Sequence, residues 1–117
     1  MGIRTPIELS EEIDRMRRDP HSGARLLWTL TDVRDAAQAC RLALEAEDVA
    51  SGPYNITGPC VVLSEPTSEL IKQYFGKRTE IREALSDHVS PMSCSRAEKA
   101  FGYQPRFSWS VSQRQSL

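Results

Sequence analysis

Apolar positions recur at helical spacing in four stretches of this chain, with short extended runs between them. The first stretch opens at TPIE, where Thr5 can cap, Pro6 suits the first helical position and Glu8 completes a capping box. Leu9, Ile13 and Met16 then form a narrow apolar stripe, and Pro20 ends the helix near Arg18 by biasing Asp19 away from helical geometry. HSGAR, residues 21–25, reads as a loop, and LLWTLT, residues 26–31, as a short strand. Asp32 offers a carboxylate to the free amides of a second helix, with Asp35 in its first turn. Along that helix Val33, Ala36, Ala37, Cys40, Ala43 and Leu44 share one face, with Arg41 and Glu45 on the outer side.

After the turn at SGP, residues 51–53, Tyr54–Thr57 reads as a second strand closed by Gly58 and Pro59. Ser64 and Pro66 mark a third helix with Leu70, Ile71, Tyr74 and Phe75 on its buried face and Gly76 as a left-handed stop. Residues 77–85 leave room for one edge strand around Ile81. Ser95 and Glu98 form a capping box for a fourth helix of about two turns, stopped by Gly102 and Pro105. The tail SVSQRQSL is polar and expected to fray.

Composition narrows the partners. The 117 residues carry 15 Lys and Arg against 16 Asp and Glu, a net charge of −1, so no basic field favours nucleic acid or an anionic membrane. A hydrophobic fraction of 39% and a charged fraction of 26% match ordinary globular usage. The apolar runs fall short of the roughly 18 residues of a membrane span. Cys40, Cys60 and Cys94 are far apart with no CxxC pair, which argues against a zinc site or a disulfide framework and for reduced thiols in the cytoplasm. His21 and His88 have no ligand partners at metal spacing, so no metal site is expected.

The order DVRDAAQACRLALEA, then YNITGP, then SRAEKAFGYQPRFSW resembles the C-terminal part of the NAD-dependent epimerase/dehydratase family, the extended short-chain dehydrogenases/reductases. The likeness covers about Trp28 to Trp109. It implies an α/β architecture: the C-terminal portion of a Rossmann-like NAD(P)-binding fold, with a few short strands, three or four helices and an incomplete sheet. On that reading residues 1–25 are an N-terminal helix and loop, and 26–58 a strand–helix–strand from the edge of the dinucleotide-binding sheet. Residues 59–110 are then a substrate-domain segment, and 111–117 a frayed tail.

The family's chemistry is a hydride transfer between a sugar-like substrate and a nicotinamide, and the resemblance says what that requires. A glycine-rich strand-to-helix turn must approach the pyrophosphate, yet the glycines at 2, 23, 52, 58, 76 and 102 are too scattered to build one. A tyrosine must be followed four places on by a lysine, but Tyr54, Tyr74 and Tyr103 are followed there by Gly58, Arg78 and Phe107. Trp28 stands where many sugar-nucleotide epimerases place a phosphate-binding arginine, and Ser93 where the closing motif has an aspartate.

The chain is therefore expected to be a substrate-domain segment that is not catalytic alone, with no catalytic and no cofactor-binding residues of its own. NAD or NADP belongs to the full-length family. Substrate-lining candidates are Trp28, Asn55 at a strand end, and Arg96 at a helix start. Expected partners are a missing N-terminal half or a full-length relative, or a second copy joined through an exposed sheet edge, with no nucleic acid and no membrane. A non-catalytic interaction module and a truncated remnant without function are the alternatives.

Overall fold

The computed structural model describes residues 5–109, and their regular structure is helical. Helix α1 spans Pro6–Arg18, α2 Val33–Glu45, α3 Thr67–Tyr74 and α4 Ser95–Phe101, with 3-10 turns at Pro20–Leu26 and Gly76–Arg78. Among the described residues no strands form a ladder, and the single bridge pairs Cys60 with Val89. The expected α/β, Rossmann-like fragment with an incomplete sheet is thus overturned, and with it the strand–helix–strand over 26–58 and the sheet edge meant to carry self-association. The tail expected to fray, 111–117, lies outside the described residues.

The helices follow their local signals. The Thr5 hydroxyl accepts from the Glu8 amide and the Glu8 carboxylate accepts from the Thr5 amide, the reciprocal box that the sequence predicts. Ile13 and Met16 bury the stripe of α1, and the helix ends at Arg18 as Pro20 requires. In α3, Leu70 and Ile71 are buried, with Tyr74 and Phe75 half-buried beside them. Gly102 stops α4 in the left-handed region, at φ +75°. The Ser95–Glu98 box does not form; the Ser95 amide instead donates to the Ser93 hydroxyl at 3.2 Å.

The first expected strand fails for a reason centred on Trp28. The HSGAR loop winds into the 3-10 turn, and Leu27 and Trp28 both leave it with positive φ, +51° and +54°. The Trp28 amide then donates back to the Gly23 carbonyl at 3.1 Å, and its indole Nε1 to the Pro20 carbonyl at 2.7 Å. Burying a whole indole with its one donor satisfied outweighs the extended preference of an isolated LLWTLT run.

The second expected strand, Tyr54–Thr57, runs beside residues 28–31 without a ladder. The Gly58 amide donates to the Leu30 carbonyl at 3.1 Å and the Val62 amide to the Trp28 carbonyl at 2.9 Å. The Thr31 hydroxyl, rather than a backbone amide, reaches the Ile56 carbonyl. Glycine permits this approach: a Cβ on Gly58 would stand 2.5 Å from the Leu30 carbonyl oxygen. Ile81 is exposed and belongs to no strand.

Two apolar clusters hold the helices together. The larger joins Ile13 and Met16 of α1 to Trp28, the run Val61–Val62–Leu63, and Leu70 and Ile71 of α3. The smaller joins Ala39 of α2, Ala97 of α4 and Tyr103, with Tyr54, Ile56 and Phe101 around them. Asp35 and Ala39 are the buried residues of α2. The face expected to turn inward is largely open: Val33 is 57% and Leu44 87% exposed, Ala37 and Cys40 are exposed between them, and only Ala36 and Ala43 of that face are half-buried. The inward side is set by a carboxylate, because Asp35 supplies acceptors that the C-terminal segment needs.

Candidate functional site

Between α1 and the start of α2 lies a half-open groove of about 940 Å³. Pro6 and Leu9 of α1, Leu26 and Leu30, Val33 and Ala36 of α2, Ile56, Met92 and Trp109 make its walls apolar. Its polar lining consists of Glu12, Arg25, Thr29, Thr31, Asp32, Arg34 and Thr57.

Most of those polar groups already have partners inside the protein. The Thr29 hydroxyl donates to the Leu26 carbonyl at 3.0 Å and the Thr31 hydroxyl to the Ile56 carbonyl at 2.8 Å. Glu12 is ion-paired with Arg15. Asp32 caps α2 by accepting from the Arg34 amide at 2.8 Å. Its carboxylate also takes the Arg34 guanidinium through Nε at 2.9 Å and a terminal nitrogen at 2.8 Å, and the Trp109 indole at 3.0 Å. The guanidinium lies 3.6 Å from the centroid of the Phe107 ring, a cation–π contact. Asp32, Arg34, Phe107 and Trp109 thus lock one end of the groove.

The side-chain bond from Arg34 is the main reason the Asp32 carboxyl sits at about 2, below its ordinary 3.8; its burial opposes this. A carboxyl depressed on folding stabilises fully above its unfolded value and loses that contribution as pH falls through its folded value. Stability should therefore drop by roughly 1–2 kcal/mol between about pH 5 and about pH 2 from this group, a figure discounted because Arg34 faces water. Urea melts of the parent and Asp32→Asn across that range should show the drop in the parent and a correspondingly flatter profile in the variant.

None of the three substrate-lining candidates of the sequence lines the groove. Trp28 is fully buried in the larger apolar cluster. Asn55 is exposed, beside the lining pair Ile56 and Thr57 but outside it. Arg96 packs its guanidinium 4.5 Å from the Tyr54 ring centroid and donates to the Pro53 carbonyl at 2.8 Å, so it pins the 51–54 turn. Sequence reading missed the pairing of Asp32 with Trp109, which are 77 positions apart. The capping signal at Asp32 was visible, but nothing in the pattern said what else its carboxylate would hold.

Two ionisable groups beside Thr57 are bonded to its backbone. The Tyr103 hydroxyl donates to the Thr57 carbonyl at 2.9 Å, and burial pushes it far above its usual value. Burial likewise raises the Cys94 thiol, whose sulfur accepts from the Thr57 amide. Among the described residues no three His, Cys, Asp or Glu side chains gather to hold a metal ion, and no helix is long and apolar enough to cross a membrane.

Comparison with protein-family models, with curated proteins and with solved structures finds no match to this chain.

Proposed function

We propose that this chain is a non-catalytic docking module, whose groove receives an apolar polypeptide segment from the cofactor-carrying portion of an oxidoreductase or isomerase of the NAD-dependent epimerase/dehydratase type. The observation that carries the docking role is the groove itself: its walls are apolar, and most of its polar groups are already bonded to the protein. A sugar brings many hydroxyls that would lose water there and find few new partners, at a cost of roughly 1–3 kcal/mol for each one stranded. An apolar peptide face loses little and gains about 25 cal/mol for every Å² it buries. The identity of the partner rests on the sequence resemblance from Trp28 to Trp109 alone, since the fold that the resemblance implied is not the one found. Cys40, Cys60 and Cys94 are free thiols, which suits a cytoplasmic setting.

Calorimetry tests both parts. A polypeptide carrying the glycine-rich turn and the tyrosine–lysine pair of such an enzyme should bind with one-to-one stoichiometry. Met92→Glu, which places a carboxylate in the groove from a loop outside the helices, should weaken that binding at least about tenfold. NAD titrated into this chain alone should give no saturable heat. Micromolar NAD binding by the chain alone, or full binding by the Met92→Glu protein, would overturn the reading.

A further inference from the structure

On the basis of the docking role above, we propose that the docked segment carries an acidic side chain bound by Arg25 and offers a backbone carbonyl to the Thr57 hydroxyl. Four charged residues line the groove: Glu12, Arg25, Asp32 and Arg34. Glu12 is paired with Arg15, and Asp32 with Arg34, so both carboxylates have their cations inside the protein. Arg25, in the last turn of the 3-10 segment Pro20–Leu26, is exposed and has no hydrogen-bond or ion-pair partner among the described residues. The described lining therefore carries one unmatched positive charge.

Thr57 adds a neutral group in the same position. It is 3% exposed and lines the groove. Its backbone is held on both sides, the amide donating to the Cys94 sulfur at 3.3 Å and the carbonyl accepting from the Tyr103 hydroxyl at 2.9 Å. Its own hydroxyl has no partner among the described residues. No fully enclosed side-chain oxygen among them lacks a partner, so this hydroxyl opens outward, and the groove is what it lines. An occupant apolar throughout would take water from the guanidinium and the hydroxyl and replace neither. A basic occupant would be repelled. An acid restores the bonds of the guanidinium, since two carboxylate oxygens can meet its paired N–H groups. The hydroxyl can donate to a peptide carbonyl, a group that every segment has, so Arg25 makes most of the selection.

Calorimetry with the polypeptide described above, bearing the glycine-rich turn and the tyrosine–lysine pair, reads each part. Arg25→Met keeps an apolar stem without the charge and should weaken binding about tenfold, while Arg25→Lys should keep most of it. Arg25 is exposed and outside both apolar clusters, so its replacements leave the core intact. Raising sodium chloride from about 50 mM to about 500 mM should weaken binding by the parent and hardly change that by Arg25→Met. Replacing the acids of the polypeptide one at a time by their amides should uncover one whose loss weakens binding to the parent about tenfold and to Arg25→Met hardly at all. Thr57→Val, close in shape, should weaken binding about threefold, and Thr57→Ser should keep it.

The outcomes separate the two proposals. If the parent binds the polypeptide and Met92→Glu does so poorly, yet Arg25→Met binds as the parent does, the docking role stands and the acid-binding role of Arg25 falls. A parent that does not bind the polypeptide overturns both. A Thr57→Val protein that binds like its parent overturns the part given to Thr57. Dodecanoate, an apolar tail with one carboxylate, is the last probe. One-to-one binding of dodecanoate that weakens in Arg25→Met, with none of the polypeptide, would make a small amphiphile the occupant and overturn the proposal.

Discussion

Trp28→Ala should remove roughly 3–5 kcal/mol of stability, the largest loss expected from any single change in this chain. The side chain is 0% exposed and stands among Ile13, Met16, Val61, Val62, Leu63, Leu70 and Ile71. Its rings lie 5.7 Å from Tyr74 and 6.0 Å from Phe75, centroid to centroid. The space it fills cannot close easily, because α1, α3 and the 61–63 run all contribute buried residues to the same cluster. Gly23 shows how tightly that space is filled: a Cβ there would sit 2.7 Å from the Met16 sulfur and 2.9 Å from the indole Cδ1. A domain of this size holds about 5–15 kcal/mol in all, so the variant should lie near the edge of folding. Trp28→Phe keeps much of the apolar contact but strands the Pro20 carbonyl, and should lose about 1–3 kcal/mol. Urea melts followed by far-ultraviolet circular dichroism would measure both. An alanine variant whose midpoint barely moves would show that the indole is not the centre of this core.

The helices were legible because their signals are local. A capping box at Thr5, a proline after Arg18 and a glycine at 102 act within a turn or two, and the helix ends fall where those residues place them. The strands were not legible, because a strand is completed by a partner that its own residues do not name. LLWTLT has the composition of a strand, yet Trp28 gained more from burial in a tight turn than from an extended run. Tyr54–Thr57 runs beside residues 28–31 and meets a threonine hydroxyl where a ladder would have supplied an amide.

The inner face of α2 was misread for a related reason. An apolar stripe says which side of a helix avoids water in the absence of competition. Here the C-terminal segment brings two backbone amides, and the acid at position 35 turns inward to accept from both. The site was legible only in pieces. Asp32 was recognisable as a cap, but its bond to Trp109 depends on that same C-terminal segment returning to α2. Arg96 and Asn55 are polar residues near element ends, and there a polar side chain more often secures its own turn, as Arg96 does.

Replacing Asp35 tests that return directly. Its side chain is 0% exposed, and its carboxylate accepts from the Arg106 amide at 3.0 and 3.1 Å and from the Phe107 amide at 3.0 Å. Asp35→Ala leaves both donors without their acceptor, and a stranded buried donor costs about 1–3 kcal/mol, more where the lost partner was charged. Roughly 3 kcal/mol is the expected loss, second only to that of Trp28→Ala. Asp35→Asn should fall between parent and alanine, since its carbonyl serves one amide while its own NH₂ group crowds the other. The damage should also be local at first. Phe107 packs on Arg34, and Trp109 bonds to Asp32, so loosening residues 106–109 opens the locked end of the groove. Amide hydrogen exchange reads this residue by residue: Arg106 and Phe107 should lose protection in Asp35→Ala under conditions where Ile13 and Leu70 keep theirs. If the amides of 106 and 107 exchange no faster in the variant than in the parent, Asp35 does not hold the C-terminal segment, and the inward turn of α2 needs another cause.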